Sequence, residues 1–410
     1  MKYYRRREDP YVMASYFLIS LYYKMKGSSM GLSSYKRTMK ALNHQEPDRV
    51  PLALGGSAQK IDEPIFIQLL DHFGIREEKR EYVFAGFRFT YYCEDLWKEL
   101  GIDTRYIYVH PEKSFTVESQ TQGQKYNNKW GLDMDFSRGS FSDSLTLQKA
   151  PLRHADLYDI KKYPWPRPDP KVLTSGLLER AKKYCSDEYP VMAYRPIAMG
   201  IFDMAQALRG TDQFLIDLIL NRKLADTLLD IITETQKLYY RAVLDAVDGY
   251  IQVIEIEDDL GTQQAAMISP KMYHDIIKPR HAELIGYIKS LKPDIKVMMH
   301  SDGSIASLLE GIIEAGVDIL NPIQTSAQGM EPAELKRNFG EHLVFQGGID
   351  TQQVLRGRPQ EVENEVKRVI DALAPGGGYL FGPAHNITRD IPMENVLIMY
   401  KTALKYGIYS

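Results

Sequence analysis

The last third of the chain repeats one unit: a short, β-rich apolar run that ends in a polar or glycine-rich turn and gives way to a helical stretch. From Ile295 it reads IKVMMHSDG, then VDILNPIQ, HLVFQGGID and GGYLFGPAH, with helical sequence between them. Such alternation predicts a parallel sheet covered by helices. Polar residues at the C-terminal ends of successive strands are what a (β/α)8 barrel uses for chemistry. Upstream, RVPLALGG (49–56), DTRYIYV (103–109), YPVMAYR (189–195) and YIQVIEIEDD (250–259) supply four more strands. The expected strand starts are Val50, Thr104, Pro190, Gln252, Lys296, Asp318, Leu343 and Tyr379. The fold class is therefore α/β, a (β/α)8 TIM barrel in one domain over residues 30–410. A barrel needs about 250 residues, which leaves room for insertions.

The largest insertion expected is residues 110–151. It is rich in Thr, Ser, Gly, Asn and Gln, with turn signals at Asn127-Asn128 and Arg138-Gly139. It reads as a hairpin segment over the barrel mouth, followed by the connector YPWPRPDP (163–170). Helices are expected at 33–42 with Ser33 as N-cap, at 63–72, 91–100 and 172–185, and across 202–246. Residues 1–29 have a basic start and an apolar stretch at 11–23 that is too short to span a membrane. They read as an extension ahead of the domain. The net charge is −3 and Lys and Arg are scattered, so nucleic acid is not an expected partner. Two distant cysteines, Cys93 and Cys185, allow neither a disulfide framework nor a Cys-rich metal site, and suit a reducing cytoplasm.

Three constellations could carry chemistry. In HSDG, His300 and Asp302 share one face of a strand, as an acid–base pair or as two ligands of one metal. The alternative is a buried histidine satisfied by its neighbour. In EIEDD, Glu255, Glu257 and Asp259 fall on one face and Asp258 on the other. Four acids so close repel one another, so a raised carboxyl pKa or a bound cation would relieve them. Asp258 and Asp259 are the catalytic candidates there, unless one merely caps a helix. His385 ends the last strand, where it would face His300 across the mouth. Asn321, Gln324, Gln346 and Asp350, at other strand ends, are candidates for substrate binding.

The segments LNHQEPDRVPLALGG, YPWPRPDP, HSDGS, LNPIQ, FQGGID and AHNITRDIPMENV, taken in order, resemble the uroporphyrinogen decarboxylase superfamily from about Ser33 onward. The resemblance implies a (β/α)8 barrel and one of two activities. One is cofactor-free decarboxylation of a tetrapyrrole; the other is cobalamin-dependent methyl transfer. The decarboxylases carry an arginine-containing M-R-Q-A-G-R segment after the first strand. Here Leu54-Gly55-Gly56-Ser57-Ala58-Gln59 stands in that place without arginine. Methyltransferases of the superfamily carry H-x-C and a distant Cys that bind zinc. Here His300 matches the histidine, Asp302 replaces the first Cys and His385 the second. The resemblance thus implies a corrinoid-dependent methyltransferase with His300, Asp302 and His385 as ligands of a divalent metal such as zinc. Its expected partners are a small methyl donor or acceptor and a corrinoid protein, and a homodimer is compatible with it. Tetrapyrrole decarboxylation is the runner-up, and a non-catalytic corrinoid or tetrapyrrole binder is the third reading.

Overall fold

The structure is a computed structural model that describes residues 31–77, 82–84, 89–90, 93–109, 125–137, 139, 144–247 and 249–409. The extension 1–29 and residues 110–124 of the insertion lie outside the described residues. Two short antiparallel strands, β1 (Tyr82–Phe84) and β2 (Phe89–Thr90), come first. The central sheet comprises β3 (Arg105–Ile107), β7 (Val191–Ala193), β8 (Val253–Glu257), β9 (Lys296–His300), β10 (Ile319–Ile323), β11 (Val344–Ile349) and β12 (Tyr379–Pro383). All its pairings are parallel, in the order β12-β11-β10-β9-β8-β7-β3. Each strand begins within one residue of its expected start, because each start coincides with a switch from a turn to a short run of β-branched, aromatic or other apolar residues.

The eighth stave is an extended segment rather than a full strand. Phe381 N–H donates to Pro51 O (2.9 Å) and Ala53 N–H to Phe381 O (2.7 Å) on one side. On the other, Asp103 N–H donates to Leu52 O (2.8 Å). Residues 51–54 therefore bond both edges of the sheet and complete the ring. Side-chain alternation agrees. Ala53, Tyr106, Met192, Val253, Met298, Ile319, Val344 and Leu380 cluster together, one from each stave. Their neighbours Val297, Met299, Leu320, Phe345 and Phe381 belong to the larger cluster shared with the helices. Each fully buried large apolar side chain contributes about 1.5–3 kcal/mol.

The helices at Ser34–Leu42 and Glu63–Phe73 fall where expected, the first capped by Ser33. The stretch 172–185 divides into Pro170–Leu173 and Leu177–Ser186. The long run becomes Ile201–Arg209, Thr211–Leu220 and Arg222–Val247. The insertion is a three-stranded antiparallel meander, β4 (Lys125–Asn127), β5 (Asp133–Ser137) and β6 (Ser144–Lys149), rather than a hairpin. No helix among the described residues is long and apolar enough to cross a membrane.

Closure rests on one buried carboxylate. Asp103 binds Arg37 Nη1 (2.7 Å) and Arg49 Nη1 (2.7 Å), and accepts the Leu52 N–H (2.8 Å). Burial alone would raise its pKa, yet Arg49 and Arg37 hold it below the usual 3.8. The Asp103→Ala variant is expected to lose about 3–5 kcal/mol of stability, because it strands two arginines. A urea titration at neutral pH measures this. The folded pKa is depressed, so the stabilisation is complete above 3.8 and is lost as pH falls through the folded value. The deficit of Asp103→Ala should therefore shrink in acid.

Candidate active site at the barrel mouth

Sheet register sets the site. Glu257 pairs with His300 across β8 and β9, and His300 with Asn321 across β9 and β10. The three form a row at the C-terminal rim. His300 Nδ1 lies 2.9 Å from Asn321 Oδ1. An amide oxygen only accepts, so Nδ1 carries the proton. Burial pushes the His300 pKa down and keeps the ring neutral, which leaves the lone pair on Nε2. That atom faces Asp302 Oδ2 at 3.7 Å and Asp259 Oδ1 at 3.9 Å. His385 Nε2 approaches the same Asp302 oxygen from beyond β12, at 3.6 Å. The expected convergence of His300, Asp302 and His385 is thus present, with Asp302 at its centre.

Asp259, His300 and Asp302 each offer a donor atom within 4.8 Å of the others. Asp302 Oδ1 is buried without a hydrogen bond. A neutral imidazole lone pair facing two carboxyl groups needs a proton or a cation between them. One nitrogen and two oxygens suit a borderline divalent ion such as zinc. The Asn321 contact fixes the imidazole as outer partners of metal-bound histidines do. The donor set therefore fits a divalent metal, with Asp259 in the place expected for His385. Burial and the neighbouring Asp259 push Asp302 up to about 6. Burial also lowers His385, although 48% of its side chain meets solvent, and the nearby Lys60 adds to the effect.

Deeper in the mouth lie residues that the sequence reading passed over. Arg195, at the end of β7, donates from Nη1 to Ser57 Oγ (2.6 Å) and sits 3.4 Å from Glu257 Oε2 and 3.7 Å from Glu255 Oε1. Lys60 donates to Ser57 O (2.5 Å). Burial pushes Lys60 down to about 7 and Glu255 up to about 7, and raises Glu257. Lys60 and Arg195 lie over the Tyr194 ring, whose centroid is 5.1 Å from that of Tyr108 at a tilt of 38°. Arg195 obeys the strand-end rule and was legible in VMAYR. Lys60 directly follows Gln59, the end of the segment that stands in the place of M-R-Q-A-G-R. Asp203 starts a helix and joins Glu257 and Asp259 in a second group of donors within 4.8 Å.

Several expected site residues have other work. Both Asp258 oxygens are taken by the Ile201, Phe202 and Asp203 N–H groups (3.0, 2.9 and 2.8 Å) and by His281 Nε2 (2.7 Å). Asp258 caps a helix behind the sheet, because alternation turns it away from the mouth. Asp350 accepts the Gln352 N–H (2.7 Å) and Gln353 N–H (3.2 Å) and shapes its own turn. Gln346 is fully buried between Tyr106 and Gln59. Gln324 accepts the Gly303 N–H (2.8 Å) and so braces the HSDG turn.

A ring of parallel strands with its polar groups gathered at the C-terminal rim defines a barrel of the enzyme type. The sequence profile of uroporphyrinogen decarboxylase (URO-D) matches residues 133–406, and the chain belongs to that family. A uroporphyrinogen decarboxylase of Trichodesmium erythraeum is 28% identical over 159 residues, 38% of this chain and 41% of the relative. One from Aliarcobacter butzleri is 25% identical over 170 residues, 42% of this chain and 45% of the relative. The chain thus matches less than half the length of these curated relatives. A solved methyltransferase from Methanosarcina mazei shares the fold, with TM-score 0.61 and 18% identity over 92% of this chain and 99% of that one.

Asp258→Ala should cost about 3 kcal/mol or more, since it uncaps a buried helix end and strands His281. His385→Ala should change stability by less than about 0.5 kcal/mol. Thermal unfolding of both variants checks the contrast, and equal losses would erase the distinction between cap and mouth.

Proposed function

We propose that the protein is a corrinoid-dependent methyltransferase, which moves a methyl group between a small methyl compound and cobalamin or a corrinoid protein. The observation that carries this reading is the meeting of Asp259, His300, Asp302 and His385 at the rim. The methyltransferase neighbour in fold is consistent with it. Asp259, His300 and Asp302 would hold a divalent ion, which would supply Lewis-acid polarisation of the heteroatom bearing the methyl group. The protein's own part is placement and proton control. Asn321 orients His300. Without the ion, burial pushes Asp302 up to about 6, so ion binding would displace the proton that this carboxyl group otherwise holds. The walls of the mouth orient the methyl compound toward the incoming corrinoid, which is a second substrate.

Decarboxylation of a tetrapyrrole is the second reading, favoured by the cations Lys60 and Arg195. Against it stand Asp203, Glu255, Glu257, Asp259 and Asp302 in the same mouth. Arg195 is already engaged by Glu255 and Glu257, which competes with any carboxylate of such a substrate.

The test follows cobalt absorbance while reduced or methylated cobalamin is mixed with the protein and a panel of methyl compounds. Methyl transfer should be detected, and His300→Ala should abolish it with the fold intact. An anaerobic assay with uroporphyrinogen should yield no coproporphyrinogen at an enzymatic rate. Turnover of about 1 s⁻¹ or faster would establish the decarboxylase instead.

A further inference from the structure

Behind the mouth a file of buried polar groups runs inward from an outer helix. The Tyr273 hydroxyl lies 3.1 Å from His281 Nδ1, and His281 Nε2 lies 2.7 Å from Asp258 Oδ2. Tyr273, His281 and Asp258 are all buried. A carboxylate only accepts, so His281 Nε2 carries a proton. The Tyr273 hydroxyl, which burial keeps protonated, faces Nδ1. The methyl transfer proposed above uses none of these three groups.

The fold clears space for this file at two places. Gly200 precedes the helix Ile201–Arg209, and a Cβ there would collide with the Glu257 carbonyl oxygen and the Asp258 carboxylate. Gly311 lies in the helix Leu309–Glu314, and a Cβ there would stand 2.9 Å from Tyr273 Cε1. Tyr273 itself opens a π-helical turn, Tyr273–Ile277. Such single wide turns occur frequently at functional sites.

From Asp258 the contacts continue to the mouth. Asp258 accepts the Asp203 N–H at the helix start. Asp203 Oδ2 accepts the Asp259 N–H (3.0 Å), and Asp259 Oδ1 accepts the Asp302 N–H (2.9 Å). We propose that His281 is a positioning residue. Through Asp258 it fixes the start of the Ile201–Arg209 helix, and thereby the spacing of Asp203, Asp259 and Asp302 in the mouth. Its effect on cation binding rests on the reading of the mouth as a metal centre; its effect on the helix start does not. A merely stabilising hydrogen bond would change global stability and leave the mouth alone.

The test uses the full chain and the variants His281→Leu, His281→Gln and Tyr273→Phe. Gln can still donate an amide N–H toward Asp258, and Leu cannot. Co²⁺ is titrated into each and followed by absorbance, while amide hydrogen exchange is read at residues 201–203 and 259. His281→Leu should weaken Co²⁺ binding by about tenfold or more, the scale seen when outer partners of metal ligands are removed. His281→Gln should restore affinity to within about threefold of the parent, even if its melting temperature stays low. Exchange should quicken at 201–203 and 259 in His281→Leu, ahead of the barrel strands. If His281→Leu does not fold, Tyr273→Phe should show the same pattern more weakly. Parental Co²⁺ affinity in a folded His281→Leu, or faster exchange spread evenly over the barrel, would overturn the proposal. If the parent binds no Co²⁺, the metal-centre reading fails, and the exchange pattern alone decides the role of His281.

Discussion

The ring depends on a carboxylate that never meets water. The first stave is joined to its neighbours by only a few backbone hydrogen bonds. Asp103 compensates by gripping the Leu52 N–H while two guanidinium groups neutralise it. Arg37 comes from the first described helix and Arg49 from the start of the first stave, where it bridges to Ile408. One side chain thus ties the N-terminal segment, the first stave and the start of β3 into a single junction. The closed ring is what brings His385, beyond β12, to within reach of Asp302, beyond β9.

The mouth shows what strand geometry imposes on charge. A period of two puts Glu255 and Glu257 on the same inner face, and the register sets Glu257 beside His300. Two charges 4 Å apart interact by about 4 kcal/mol at an effective dielectric of 20. Like charges at that spacing cannot all persist without counter-ions or protons. The protein answers with Arg195 and Lys60 on one side and raised carboxyl pKa values on the other. Four buried atoms here, Arg195 Nε, Glu255 Oε1, Glu257 Oε2 and Asp302 Oδ1, still lack hydrogen bonds. Buried polar groups are rarely left so without a functional reason.

Much of this was legible in the sequence, and the failures have physical causes. The strand starts were readable because β-branched runs and turn residues report local backbone preference. The rule that side chains at strand ends gather at one mouth brought His300, Asp302, Asp259 and His385 together. Alternation even separated Asp258 from Asp259. It could not reveal the helix start behind Asp258, because residues 201–203 lie far from it along the chain. Lys60 and Asp203 were missed for the same reason: only closure of the ring brings them to the rim. The first stave escaped as a regular strand because side-chain bonds to Asp103 replace part of its ladder.

The candidate residues are not equally deep. Side-chain exposure falls from 48% at His385 to 27% at Asp302 and 6% at His300. A group that moves inward sheds its hydration in stages, and the pull of each fixed charge grows as water is displaced. A charge placed beside His300 is therefore felt more strongly than the same charge placed beside His385.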